Sequence, residues 1–204
     1  MKTMLKVTGF AVFTLLLFNC SNKTEQKSCC SIHESSHQAE ADVSDVSLFL
    51  LQSQWENQAG KPRKLSYYKG KPTIAAMIFT HCPSACPRIV ADIKNIESEL
   101  NASGFNKIQY LLISMDPARD NPEKLQRFAE DFRLGENWEL IRADQSSTAE
   151  IAQVLGVKIK PLSDGGFDHS NHIFLINSKG EIVQQLAGLS ADPAEFIAEC
   201  KNLQ

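Results

Sequence analysis

Thr73 to Phe79 is a run of seven uncharged, mostly apolar residues, and Ile108 to Ser114 is a second such run. Between them Ile89, Val90, Ile93, Ile96 and Leu100 recur at the spacing of one helical face. Two uncharged strands flanking an amphipathic helix can share a sheet as parallel neighbours joined by a right-handed crossover. That unit restricts the architecture to an α/β sheet with helices packed on it. The junction of first strand and helix is Phe79-Thr80-His81-Cys82-Pro83-Ser84-Ala85-Cys86-Pro87. Both cysteines precede a proline, and a residue before proline is pushed out of the α region. Pro87 is therefore expected at the first helical position with Cys86 as N-cap, leaving 82–86 as an irregular turn. Both sulfurs would then sit at the positive end of a helix, where thiolate is favoured over thiol.

The flanking pattern extends this unit. Leu48 to Gln54 has strand-like content, Asn57 to Gly60 is a turn signal, and with Lys64 to Tyr68 they predict a hairpin added to the sheet. Asn121 is expected to cap a helix opened by Pro122 that buries Leu125, Phe128, Ala129 and Phe132. Trp138 to Arg142 is a short strand, and Ser147 with Glu150 predicts a capping box for a helix stopped by Gly156. A loop from Val157 to Phe167 leads to two strands, His172–Asn177 and Glu181–Leu186. Ser178-Lys179-Gly180 between them makes the pair antiparallel. Asp192-Pro193 opens a last helix bearing Phe196, Ile197 and Cys200. The expected fold is α/β and thioredoxin-like: a central mixed sheet flanked by helices, with an N-terminal β addition.

The domain occupies residues 48–204. Upstream, Lys2 and Lys6 precede an apolar run from Val7 to Phe18, about a dozen residues, where a membrane-spanning helix needs roughly 20. Residues 1–19 therefore read as an export signal. Cys20, directly after it, resembles the cysteine on which bacterial lipoproteins are cut and acylated, so the protein is expected in the bacterial cell envelope, tethered to a membrane through a lipid anchor and facing the periplasm. Residues 20–47 are the lipidated cysteine and a polar tether that cannot bury enough surface to order itself. The tether holds Cys29, Cys30, His33 and His37, which form either a soft-metal trap or an incidental cluster. The net charge is −3. Cleavage after residue 19 would remove Lys2 and Lys6 and no acid, leaving 19 basic residues against 24 acidic ones. With no basic stripe, nucleic acid is not an expected partner.

The Cys82–Cys86 pair admits three chemistries. A structural disulfide would close so short a loop that it gains little. A redox dithiol would differ from the usual two-residue spacing by one residue. Soft-metal ligation by two thiolates would call for a third ligand. Of the five histidines, His33 and His37 lie in the tether and His81 neighbours Cys82 on a turn that points the two side chains apart. His169 falls at the end of a loop just before a core strand, where a thioredoxin-like sheet faces the first strand-to-helix turn. His172, inside that strand, is more simply a surface or half-buried side chain. Cys200 is expected as an inert core thiol.

Three ordered stretches carry a family resemblance. Phe79 to Pro87 is similar to the F-T-H-C-P-x-x-C-P signature of the Sco (SenC) copper proteins. Ser114-Met115-Asp116-Pro117-Ala118-Arg119-Asp120 resembles their S-x-D-P-x-R-D segment. Gly156-Val157, Asp168-His169-Ser170 and Phe174-Leu175-Ile176 resemble their G-V, D-H-S and L-I stretch. The match covers Leu48 to about Leu203. The resemblance implies a metallochaperone that holds one copper, as Cu(I) or Cu(II), through Cys82, Cys86 and His169. Its recipient would be a cuproprotein, foremost the binuclear copper site in subunit II of cytochrome c oxidase. Whether such a protein is also an enzyme stays open at this point: the alternative is a thiol-disulfide oxidoreductase that reduces a copper-site partner through Cys82 and Cys86 and draws on a thiol reductant. Asp168 could orient His169 from behind, and Asp116 with Arg119 either shapes the site or merely forms the turn into the next helix. Ser84, where many members carry an acid, and the short loop from Pro161 to Phe167 depart from the family pattern without removing a ligand.

Overall fold

The computed structural model describes residues 45–163 and 165–203, all within the unit Ala39–Gln204. The export signal, Cys20 and the cluster Cys29, Cys30, His33 and His37 lie outside the described residues. Among those described, no helix is long and apolar enough to cross a membrane.

The seven-residue run forms β3 (Thr73–Ile78), whose six residues are all buried. The second run forms β4 (Gln109–Ser114), parallel to β3 in a register that sets Thr73 beside Gln109 and Ile78 beside Ser114. The crossover is α1 (Ala85–Ala102), with Ile89, Val90, Ile93, Ile96 and Leu100 buried on one face. Next come α2 (Pro122–Asp131), β5 (Trp138–Arg142, parallel to β4) and α3 (Gln145–Val154). The hairpin β8 (His172–Ile176) and β9 (Ile182–Ala187) follows, and α4 (Ala194–Asn202) ends the domain. Strand β8 lies antiparallel to β3, so β3 is flanked on both sides. With β1 (Trp55–Asn57) and β2 (Pro62–Arg63) the sheet has seven strands in the order β2-β1-β5-β4-β3-β8-β9. This is the mixed, helix-flanked, thioredoxin-like sheet expected from the element order.

Five local expectations change. Cys86 is the second residue of α1 rather than its cap, and Ser84 takes the N-cap position. The first-turn N–H groups of a helix have no intrahelical partner, so Pro87 fits there without breaking a bond. Helix α3 starts one turn earlier than expected because Asp144 caps it, its carboxylate accepting from the Ser147 N–H at 2.7 Å. Leu48–Leu50 is a 3₁₀ turn, not a strand: the Ser47 hydroxyl accepts from the Phe49 N–H at 3.1 Å, and the neighbours Leu48 and Phe49 are both buried, which a pleat does not allow. Leu65–Tyr68 is likewise 3₁₀, burying Leu65 and Tyr68 three residues apart, where such a helix stacks its side chains. Finally, the expected loop after Val157 contains a two-stranded ribbon, β6 (Ile159–Pro161) paired antiparallel with β7 (Phe167–His169). That ribbon carries His169.

Candidate metal centre

Strand β3 runs out at Ile78, and the chain turns at Phe79 so that its carbonyl accepts from the Cys82 N–H at 3.2 Å. The two sulfurs are held by main-chain donors. Phe79 N–H points at Cys86 Sγ (3.4 Å) and Cys86 N–H at Cys82 Sγ (3.3 Å). Both are free thiols; Cys86 is fully buried and Cys82 is partly exposed. Burial pushes the Cys86 thiol well above its ordinary range, and the Phe79 N–H opposes this only in part. The helix N-terminus was expected to favour thiolate at both sulfurs; at Cys86 desolvation outweighs it.

His169 closes β7. Its Nδ1 lies 3.2 Å from the Ser170 carbonyl oxygen. A carbonyl only accepts, so Nδ1 carries the proton and Nε2 keeps its lone pair. Nε2 is buried and has no hydrogen-bond partner. Burial also lowers the imidazole pKa, which holds the ring in its neutral, ligating form. The ring stands edge-on to Phe79 at 6.0 Å, and Phe79 is the residue whose N–H touches Cys86. Asp168 is exposed and pairs in register with Lys160, and its charge raises the His169 pKa against the burial effect. His172 opens β8 with its ring edge-on to Phe174 at 5.8 Å.

The loop after β4 supplies the polar scaffold. Asp120, 1% exposed, accepts from the Thr80 hydroxyl and the Ser114 hydroxyl, each at 2.6 Å, and from the Thr80 N–H at 3.3 Å. Asp116, 3% exposed, meets the Arg119 guanidinium and His81 Nε2, the latter at 3.2 Å, on the same oxygen. Arg119 continues to the carbonyl of Gly165 and lies over the Phe167 ring, 5.6 Å from its centroid. The sequence assigns a candidate role to Asp116 and Arg119; Thr80, Ser114 and Asp120 stand in its family motifs without one, and His81 is set aside. The parallel pairing of β3 and β4 was the available signal, because it brings both strand ends, and so both loops, to one edge of the sheet.

Among the described residues, the potential ligand atoms already gathered within 4.8 Å are those of His81, Asp116 and Asp120. Those carboxylates are occupied by Arg119, Thr80 and Ser114, which makes the trio a polar network of two buried carboxylates with an exposed His81. Cys82, Cys86 and His169 are not drawn together to that limit. Ligands sharing one ion lie within about 4.6 Å of each other at ordinary bond lengths. Gathering them therefore takes a shift of the dithiol turn or of the ribbon.

Residues 49–204 match the family model described as SCO1/SenC. The chain belongs to the SCO1/SenC family. Its structure is similar to that of a SCO1/SenC family lipoprotein from Bacillus anthracis, with a TM-score of 0.69 and 25% identity over 76% of this chain and 95% of that one. It is also similar to ScoI of Bradyrhizobium japonicum with copper bound, at a TM-score of 0.63 and 28% identity over 74% of this chain and 97% of that one. A third likeness is to BsSco, described as a member of the Sco family of cytochrome c oxidase assembly proteins and as having a disulfide switch. There the TM-score is 0.65 and the identity 26%, over 74% of this chain and 90% of that one.

In this SCO1/SenC chain Cys82, Cys86 and His169 would together make a donor set soft at two positions and borderline at the third. Two thiolates and a neutral imidazole suit Cu(I) and can also hold Cu(II). Each thiol gives up a proton when it takes a metal, so binding is linked to pH. Oxidising the two thiols to a disulfide removes two electrons and two protons and leaves sulfurs that ligate poorly. Metal binding at this pair and its oxidation would thus compete for the same two atoms.

Proposed function

We propose that this protein is a copper carrier of the cell envelope, which holds one copper through Cys82, Cys86 and His169 and hands it to a cuproprotein. The observation that carries the reading is His169 Nε2, a buried nitrogen with a free lone pair and no hydrogen-bond partner, on a ring edge-on to Phe79, whose main-chain N–H points at Cys86 Sγ. An unpaired buried acceptor costs about 1–3 kcal/mol, a cost that a bound metal removes. The copper bound by the Bradyrhizobium relative supports the choice of ion. Its recipient is the binuclear copper site of cytochrome c oxidase subunit II, a reading supported by the family's motifs and by the assembly role stated for BsSco. The export pattern before Cys20, together with the lipoprotein relative, supports a lipid anchor there and a domain facing the periplasm.

A second reading has its own observation. The Cys86 N–H in the first turn of α1 points at Sγ of Cys82, the more accessible of the two sulfurs, the arrangement of an attacking thiol with a resolving thiol behind it. On this reading Cys82 attacks a disulfide of the recipient, Cys86 displaces it, and the protein ends as the disulfide until a thiol reductant restores it.

Anaerobic copper(I) titration of the reduced chain from residue 45, beside Cys82→Ser, Cys86→Ser and His169→Ala, separates the two. One tightly held copper per chain, weakened by each change, supports the carrier. Failure of the parent to hold copper, or a His169→Ala variant that binds like the parent, removes it, and disulfide-reduction assays then decide the second reading.

A further inference from the structure

The two segments that carry the proposed ligands belong to separate elements, yet one loop grips both. Asp120 holds Thr80, two residues before Cys82, through its hydroxyl and its N–H. Asp116 holds His81 on one oxygen and shares that oxygen with Arg119. Arg119 then leaves the loop, donates to the Gly165 carbonyl four residues before His169, and covers the Phe167 ring two residues before it. The ribbon backbone is shaped for this approach. Gly165 has φ +84°, and a Cβ there would lie 3.2 Å from Arg119 Nη1. Arg119, Gly165 and Phe167 border a cavity of about 660 Å³ that Thr148, Val157 and Ile159 also line. Space is therefore available for the ribbon to swing if nothing ties it.

We infer that Arg119 is a positioning residue that ties the His169 ribbon to the dithiol turn through Asp116, and so sets how far His169 stands from the two sulfurs. The inference deepens the copper reading and rests on it for its effect on metal, but the tie itself belongs to the metal-free protein. Arginine suits the role because its planar fork can serve the Asp116 carboxylate and the Gly165 carbonyl together while its face lies on Phe167. Lysine is a point charge and can keep the Asp116 pair at most. Without the tie, the ribbon must be ordered each time His169 takes a metal, and affinity falls.

The test has a metal-free arm and a copper arm. Amide hydrogen exchange of the metal-free chain is compared between parent, Arg119→Ala and Arg119→Lys. Exchange in residues 159–169 should quicken by roughly tenfold in Arg119→Ala, less in Arg119→Lys, with β3, β4 and α1 unchanged. Unchanged protection of the ribbon would overturn the inference whatever the metal does. In the copper arm, copper(I) affinity is measured against a competing chelator in a cycle of Arg119→Ala, His169→Ala and the double variant. Arg119→Ala should weaken copper by about tenfold, as loss of a partner behind a ligand does, and should add nothing in the His169→Ala background. The Cys82–Cys86 reduction potential should stay at the parent's value. A penalty that persists in the His169→Ala background would mean that Arg119 acts elsewhere, and overturns the inference. A parent without copper affinity would instead count against the copper reading, leaving the tie to be judged on exchange alone.

Discussion

Cys200 and Cys86 show how burial alone makes a thiol a pH-dependent element of stability. Both side chains are fully buried, and desolvation pushes the Cys200 thiol up to about 12 and Cys86 higher still. In the unfolded chain each ionises near its ordinary value of about 8.5. A raised folded pKa gives stability that is complete below the unfolded value and is lost as pH climbs towards the folded one. Between about pH 8.5 and 10 the unfolded state therefore sheds protons that the native state retains. Each buried thiol should cost up to about 1.4 kcal/mol per pH unit in that window. Tyr68 and Tyr110, also raised by burial, join only above their own ordinary value near 10. Urea unfolding of the metal-free, reduced chain at pH 7.5 and 9.5 checks this. The parent should lose stability over that interval, and Cys200→Ala should lose about 1 kcal/mol less. An equal loss in both would show that Cys200 does not retain its proton in the folded state.

At the level of elements, the polar loop after β4 and the hairpin turn at Gly180 make separate demands. Asp120 is nearly inaccessible and satisfies two hydroxyls and a main-chain N–H. Asp120→Ala strands the Thr80 and Ser114 donors and should cost about 3 kcal/mol by denaturant midpoint. Thr80→Val removes one partner and should cost about 1 kcal/mol. Gly180 and Gly188 share φ +89°, but only at Gly180 would a Cβ intrude, 2.7 Å from Phe49 Cδ2, while Gly188 faces open space. Alanine should cost about 1–2 kcal/mol at Gly188 from backbone strain alone. At Gly180 overpacking should add about 1–3 kcal/mol more; equal losses at both would show that the Phe49 contact is not tight. These features also mark where the sequence was legible. Uninterrupted apolar runs and helical spacing disclosed β3, α1, β4, α2 and β5, since each pattern is local. Leu48–Leu50 misled because three apolar residues in a row look like a strand, and only the Ser47 cap and the partners of Leu48 and Phe49 make them a 3₁₀ turn. The β6–β7 ribbon was hidden because its strands have three residues each, too few to show alternation. Cys82, Cys86 and His169 were visible through the family motifs, whereas the grip of Asp120 on Thr80 joins residues 40 apart and follows only from the β3–β4 pairing.

Across the whole domain, the register of the sheet separates the chain's entry from its chemistry. Thr73, at the start of β3, pairs with Ile176 at the end of β8, while the dithiol turn follows the other end of β3 and His169 precedes the start of β8. The entering chain is fastened at the Thr73 end, where the Ser47 hydroxyl donates to the Lys179 carbonyl at 2.5 Å and the Leu48 N–H to the Gly180 carbonyl at 2.8 Å. The described chain thus enters at the edge of the sheet opposite the proposed ligands. The arrangement separates two effects of N-terminal truncation. A chain beginning at residue 45 keeps the Ser47 fastening and should match the full-length protein in stability and in holding one copper. A chain beginning at residue 51 loses Leu48 and Phe49 from the core, where removing a single large apolar side chain costs about 2–5 kcal/mol. It should unfold at clearly lower denaturant yet, while folded, bind copper as tightly as the longer chain. Loss of copper on truncation to residue 45, equal to that in Cys82→Ser, would move the primary site into the segment containing Cys29, Cys30, His33 and His37.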